Sequence, residues 1–116
     1  MTTRAEVLHG ITIRVKTAHG NLYLTVNMDQ TSRPTEVFAT MGRAGGCAGS
    51  YIEGLGRLIS LALRAGISFD DIVRQLAGIK CGHPLGTGDD TVESGADAIS
   101  KGLRKVLEKI GTPGGV

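Results

Sequence analysis

Apolar and polar residues alternate in the first part of the chain. Apolar residues occupy positions 11, 13 and 15 with polar residues between them, and residues 21–28 follow the same rhythm. A period of two predicts half-buried strands. The Gly and Asn within residues 18–21 favour a tight hairpin turn between them. After a polar loop at 29–34, apolar residues at 37, 39 and 41 add a third strand, so this part predicts a three-stranded antiparallel meander.

From residue 44 onward the apolar residues recur at steps of three and four. Such steps predict an amphipathic helix over residues 44–63 with one apolar stripe facing the core. Glu53 and Arg57 fall at i, i+4, where they can pair, and Gly66 suits a left-handed C-cap. The predicted stripe consists of Ala44, Cys47, Ala48, Tyr51, Ile52, Leu55, Leu58, Ile59 and Ala62.

Two capping patterns predict two further helices. Ser68 with Asp71 begins a short helix that ends near Gly78, and Ser94 with Asp97 begins a third that runs to Ile110. We expect its cations to face water; they are Lys101, Arg104, Lys105 and Lys109.

Strands followed by helices indicate an α+β fold, with three helices packed on one face of the meander. The length of 116 residues corresponds to one domain, 1–116, in which we expect an ordered core from about residue 5 to 110 and a frayed tail at 111–116. Hydrophobic residues make up 41% of the chain, which argues against disorder.

Charge and apolar patterning exclude several classes of function. The net charge of +2 is too small to indicate nucleic-acid binding. An apolar run of about 18 residues is missing, so we expect no membrane span, and the N-terminal residues lack the apolar block of a secretory signal. Two cysteines in such a chain point to a reducing cytoplasm, where free thiols or metal ligands are expected rather than a disulfide.

A glycine-rich turn before the first helix is a candidate anion site. Backbone N–H groups of Gly42, Gly45 and Gly46 and the helix dipole can hold a phosphate-like anion, with help from Arg43. The spacing matches neither the Walker nor the dinucleotide fingerprint. The alternative, which we favour, is that these glycines permit a tight strand-to-helix corner.

Cys47 follows directly in the first turn of the predicted helix. A helix N-terminus favours a reactive thiolate, so Cys47 joins the candidate ligand-binding set. It also falls on the apolar stripe, and free cysteine is among the most buried residue types. We therefore expect a packed core cysteine.

Cys81 and His83 form a Cys-x-His pair in a loop rich in glycine. Such a pair can supply two zinc ligands, and His19 at the hairpin turn can supply a third. The alternative is an unliganded loop. Two or three scattered donor residues, taken alone, favour this alternative. His9 has no ligand-like neighbour and is expected at the surface. No Ser, His and Asp grouping carries a nucleophile-elbow signature, so the sequence offers no catalytic residue.

A family resemblance is carried by residues 20–27, 36–38, 41–48, 53–64 and 75–81. Taken in order, these segments resemble the TSCPD domain over nearly the whole chain, from about Arg4 to Ile110. This domain typically lies near the C-terminus of adenosylcobalamin-dependent (class II) ribonucleotide reductases and also occurs as a separate small protein. Several matched segments in one order are more specific than any single motif.

The chain departs from the family pattern at its cysteines. His19 stands where relatives often have Cys at the hairpin, and Gly82 and His83 follow Cys81 where relatives usually have Pro. The name-giving Thr-Ser-Cys-Pro-Asp corresponds to residues 93–97, so Gly95 replaces its cysteine. In relatives these cysteines suggest a metal cluster. Because a Cys-to-His exchange can preserve zinc binding, the resemblance implies a cluster of His19, Cys81 and His83 here.

The resemblance implies a free-standing accessory domain in deoxyribonucleotide synthesis, the pathway that supplies DNA replication. A chain of 116 residues lacks the large barrel, thiyl-forming cysteine and cobalamin site of a reductase. It would therefore act through a nucleotide-type ligand or a reductase catalytic subunit, and adenosylcobalamin would enter only with that subunit.

Two other interpretations remain open. One is a small metal- or thiol-dependent enzyme or redox carrier that uses Cys81, His83 and Cys47. The other is an oligomeric scaffold. The apolar stripe at 44–63 is broader than a three-stranded sheet can cover, which predicts a homodimer.

Overall fold

Three antiparallel strands form the single sheet of the described chain. The computed structural model describes residues 8–42 and 46–110. Strands β1 (His9–Thr17), β2 (Gly20–Met28) and β3 (Pro34–Met41) lie in the order β1-β2-β3, with one irregularity in register between Asn27 and Met28. The predicted meander is confirmed.

The strand register separates a buried face from an exposed one. Ile13 pairs with Leu24, and Leu24 pairs with Ala39, so these three side chains form one row on the buried face. The neighbouring row on the other face contains Thr12, Thr25 and Phe38. Its two threonine hydroxyls are hydrogen-bonded at 2.8 Å, and Phe38 is exposed. The alternation in sequence therefore follows the two faces of the sheet.

Helix α1 (Gly46–Arg64) packs against β3. A Cβ placed on Gly56 would lie 3.2 Å from the Ala39 nitrogen and 3.3 Å from the Val37 carbonyl oxygen. Only a glycine allows the helix axis to approach the strand this closely without displacement. The predicted pair of Glu53 and Arg57 is present on the outer side of α1, at 3.5 Å.

The core-facing side of α1 differs from the predicted stripe. Four residues that were expected in the core are exposed instead: Cys47, Ala48, Tyr51 and Leu58. Gly56 and Ser60 lie at the sheet instead, together with Ile52 and Ile59. Apolar residues surround most of the helix, so their spacing could not identify the side that meets the sheet. Ala44, the first predicted member, lies outside the described residues.

Helices α2 (Phe69–Leu76) and α3 (Gly95–Ile110) complete the predicted α+β fold. Helix α3 packs on β1 and β2, and α2 packs on α3. The Ser68 hydroxyl accepts a hydrogen bond from the Asp71 N–H at 3.1 Å, so the predicted cap of α2 is confirmed. Gly66 has the left-handed conformation expected after α1, with φ of +94°.

One of the four predictions for the cations of α3 is wrong. Arg104, Lys105 and Lys109 are exposed as predicted, whereas Lys101 is half-buried and paired with Asp97. Among the described residues, no helix is both long and apolar enough to cross a membrane.

Candidate metal centre

The turn between β1 and β2 fixes the position of His19. Thr17 pairs with Gly20 across the hairpin, and Gly20 has φ of +118°, which favours glycine. The Thr17 hydroxyl accepts a hydrogen bond from the His19 N–H at 3.0 Å and donates one to the Gly20 carbonyl at 2.8 Å. The backbone of the turn is therefore well determined, and the His19 side chain is exposed at its tip.

The loop between α2 and α3 folds into a narrow hairpin of its own. Leu85 and Val92 exchange both backbone hydrogen bonds, at 2.9 and 2.7 Å, and the Cys81 N–H donates to the Glu93 carbonyl at 3.2 Å. Gly82 has φ of +86°, a conformation that side chains other than glycine rarely adopt. This glycine turns the backbone between Cys81 and His83.

The two turns bring His19, Cys81 and His83 together, as the sequence predicted. The Cys81 Sγ lies 3.5 Å from the His19 Nε2, across a sequence separation of 62 residues. The two imidazole rings meet edge to face, with centroids 5.6 Å apart. One ligand atom from each residue can be chosen so that all three lie within 4.8 Å of one another.

The donor types of this arrangement suit zinc, and one of its three ligand separations already matches a zinc site. Zinc binds thiolate at about 2.3 Å and imidazole at about 2.0–2.1 Å, which places tetrahedral ligands roughly 3.3–3.7 Å apart. The sulfur–nitrogen distance of 3.5 Å is already in that range. One thiolate and two imidazoles are typical zinc donors. All three side chains are exposed, so a metal there would be open to solvent or to a partner.

Gly95 supplies no fourth ligand, because glycine has no side chain. A Cβ placed on Gly95 would lie 2.8 Å from the Cδ1 atom of Ile52, which is the end of a flexible side chain. Within the described residues, the cluster offers three candidate ligands, so a tetrahedral metal held there would keep one position open.

Asp97 holds the loop that carries Cys81 and His83. It is fully buried, and its carboxylate accepts hydrogen bonds from the N–H groups of Gly78 and Glu93 at 2.8 and 2.9 Å. The Lys101 ammonium lies 2.8 Å from the same carboxylate. Gly78 and Glu93 are the two ends of the loop, so one buried side chain fixes both ends.

The sequence identified only part of the role of Asp97. The Ser94 hydroxyl accepts a hydrogen bond from the Asp97 N–H at 3.1 Å, which confirms the predicted cap of α3. The bond to Gly78 gave no sequence signal, since it joins residues 19 positions apart. Burial alone would raise the pKa of Asp97, but the Glu93 N–H, the Lys101 ammonium and the Gly78 N–H together hold that pKa below its ordinary value.

The candidate anion turn is only partly described. The Gly42 N–H donates to the Asn21 carbonyl at 2.7 Å, so this group is already satisfied within the fold. Arg43 and Gly45 lie outside the described residues, and α1 begins at Gly46. Cys47 is exposed and is not a member of the His19, Cys81 and His83 cluster. Anion binding at this turn stays a prediction.

Comparison with known proteins supports one family. No curated protein and no solved structure gives a significant match to the chain. The family model for the TSCPD domain matches residues 1–107 of the 116. This span includes the hairpin with His19, the loop with Cys81 and His83, and Asp97. The chain belongs to the TSCPD domain family.

Proposed function

We propose that this chain is a zinc-holding accessory domain that acts through a partner in deoxyribonucleotide synthesis. The single observation that carries the proposal is the meeting of His19, Cys81 and His83, whose ligand atoms lie within 4.8 Å of one another. These donors lie on two turns that are far apart in the sequence, and each turn is fixed by its own hydrogen bonds.

Zinc at this position would act first as a structural cross-link. It would join the β1–β2 turn to the loop after α2 without any requirement for burial. The bound metal would also supply a Lewis-acidic centre with one open coordination position. Cys81 must be reduced to bind it, so we place the chain in the reducing cytoplasm.

The partner in this proposal is the catalytic subunit of an adenosylcobalamin-dependent ribonucleotide reductase. Membership of the TSCPD family and the resemblance to the C-terminus of that enzyme support this choice. The cluster and its loop would form the contact surface, because their side chains are exposed on a well-determined backbone. A nucleotide-type ligand at the turn of residues 42–47 is the second element of the proposal.

Elemental mass spectrometry of protein purified without a histidine tag tests the metal. We expect about one zinc per chain in the natural protein. Cys81→Ala should lose it. Cys47→Ala is the matched control, since Cys47 is also exposed but lies outside the cluster. A natural protein without metal after zinc addition overturns this half of the proposal.

Co-purification with a reductase catalytic subunit tests the partner. The natural chain should bind at micromolar concentration, and Cys81→Ala should bind more weakly if the metal-fixed loop is the contact. Binding that is unchanged in Cys81→Ala removes the loop from the contact surface. An absence of binding overturns the partner while leaving the metal result intact.

The structure does not favour the alternative of a small enzyme or redox carrier. That interpretation needs Cys81, His83 and Cys47 to act together. Cys47 lies in the first turn of α1, outside the group of ligand atoms formed with His19.

A further inference from the structure

A line of residues on the outer side of α1 follows the spacing of a helix–helix seam. We call Cys47, Tyr51, Gly54, Leu58 and Leu61 the outer stripe. Its steps of four, three, four and three residues are those of the a and d positions of a coiled coil. The stripe is separate from the core-facing side of α1, which contains Ile52 and Ile59.

The outer stripe is exposed in a single copy of the chain. Tyr51, Leu58 and Leu61 are exposed to 72%, 63% and 48%. Together with the core-facing side they leave α1 only a narrow polar side around Glu53, Arg57 and Arg64. A helix that is apolar on nearly all sides is normally buried on nearly all sides.

Two glycines of α1 differ in what they contact, and this difference points to a second helix. Gly56 has no side chain because Val37 and Ala39 of β3 lie against it. Gly54 has nothing within 4 Å of an added Cβ, so packing within one copy does not require a glycine there. A glycine inside a helix weakens it relative to alanine. Gly49 is equally open, but Gly54 lies on the stripe, where it leaves room for a close approach from outside.

We propose that α1 pairs in antiparallel fashion with α1 of a second copy of this chain. In this pairing Leu58 of each copy seats in the notch above Gly54 of the other, and Tyr51 packs against Leu61. The outward sides of the other helices are charged, with Arg74 on α2 and Arg104 and Lys105 on α3 exposed. Among the described helices, α1 is the one that offers a matching seam.

The charges along the stripe are compatible with this pairing. Arg57 borders the stripe and lies 3.5 Å from Glu53. In an antiparallel arrangement, Glu53 of one copy lies beside Arg57 of the other, and Arg57 beside Glu53. Opposite charges therefore face one another across the contact. Two copies can therefore meet without an unpaired cation at the border.

The area of the contact predicts its strength. Helix α1 has 19 residues and is therefore about 28 Å long and about 10 Å wide, which gives a strip of roughly 280 Å² per copy. Stable interfaces bury about 800 Å² per partner. We therefore expect a weak dimer that dissociates on dilution.

Sedimentation velocity over a range of concentrations tests the proposal. The natural protein should shift from monomer to dimer, and both Leu58→Glu and Gly54→Glu should remain monomeric. Gly54→Glu is decisive, because the site is open in one copy and the change places a charge only in the notch for the second. Circular dichroism establishes that each variant is folded.

Phe38→Glu is the matched control, since Phe38 is 51% exposed on the outer face of the sheet. It should dimerise like the natural protein. A natural protein that is monomeric at every concentration overturns the proposal. So does a dimer broken by Phe38→Glu but not by Leu58→Glu, which would place the contact on the sheet. A third result would also overturn the proposal. If the natural protein forms no dimer and Leu58→Glu loses reductase binding, the outer stripe contacts a different partner.

Discussion

The Ser60 hydroxyl bonds both backbone groups of Val37 at the edge of the sheet. It accepts from the Val37 N–H at 2.8 Å and donates to the Val37 carbonyl at 3.0 Å, and both residues are buried. Strand β3 is at the edge of the β1-β2-β3 order, and an unpaired edge is a template for association with other chains. The Ser60 side chain therefore satisfies the backbone hydrogen-bonding groups in the middle of this edge strand.

Ser60→Ala should destabilise the protein, because it leaves the Val37 N–H and carbonyl buried without partners. We expect a loss of about 2 kcal/mol in the free energy of unfolding, measured by urea denaturation. Ser50→Ala is the control within the same helix. The Ser50 hydroxyl donates only to the carbonyl of exposed Cys47, at 2.8 Å, so its loss should change stability by about 0.5 kcal/mol or less. Equal effects of the two changes would contradict this role for Ser60.

Gly56→Ala and Gly49→Ala should change stability in opposite directions. At Gly56 the added methyl group would meet the backbone of Val37 and Ala39, so α1 must move away at a cost of about 2 kcal/mol. At Gly49 nothing lies within 4 Å, and alanine should stabilise the helix by up to about 1 kcal/mol. Thermal unfolding of the two variants gives the comparison. A stabilising Gly56→Ala would show that the close approach of α1 to β3 is not required.

Asp97→Asn should weaken the fold and reduce its acid sensitivity. Loss of the buried charge beside Lys101 should cost about 3 kcal/mol near neutral pH. The pKa of Asp97 lies below its ordinary value of 3.8 in the folded chain. Its stabilising effect is therefore complete above that ordinary value and is lost as the pH falls through the lower folded value. The stability difference between the two proteins should shrink over this acid range.

Asp70→Asn is the control for Asp97→Asn. Asp70 also forms an i,i+4 ion pair, with Arg74 at 2.9 Å, but the Arg74 side chain is 70% exposed and the Asp70 side chain 44%. An exposed pair contributes little, so the change should cost about 0.5 kcal/mol or less. Urea titrations at a series of pH values measure both variants. A constant difference between the natural protein and Asp97→Asn at every pH would refute the assignment to the Asp97 carboxylate.

Gly82→Ala should weaken zinc binding without a comparable effect on the core. Alanine at φ of +86° is strained by about 1–2 kcal/mol, and relief of that strain would turn Cys81 away from His83. We therefore expect about a tenfold loss of zinc affinity, measured by competition with a chelator. Gly88→Ala is the matched control. Gly88 lies in the same loop and also has a positive φ, +62°, but it does not separate two candidate ligands. An equal loss in both variants would mean that the loop as a whole, not the Cys-Gly-His turn, determines affinity.

The local pattern of the sequence predicted most elements of this fold. Alternation in residues 11–15 and 21–28 identified strands, and the pairs Ser68–Asp71 and Ser94–Asp97 identified two helix starts. These features depend on neighbours within a few positions, so the sequence contains the physical information needed. The three metal-ligand candidates were also predicted, from their donor types and from the family resemblance, which places His19 and Cys81 in one set.

Tertiary structure alone decided which side of α1 is buried. Cys47, Tyr51 and Leu58 have the spacing of a core stripe, yet the sheet meets the side with Gly56 and Ser60. A nearly uniform apolar helix has no preferred direction of its own. The side is selected by close backbone approach and by the hydrogen bonds of Val37, and neither contributes to hydrophobic periodicity.

Tertiary structure also decided what Asp97 does. The sequence determined that it follows Ser94 at the start of a helix, where a carboxylate is favourable. Packing of α2 on α3 then placed the Gly78 N–H within reach of that carboxylate, 19 residues away in the chain. Short-range patterns determine the elements of this protein, while contacts between distant elements determine where its candidate metal ligands stand.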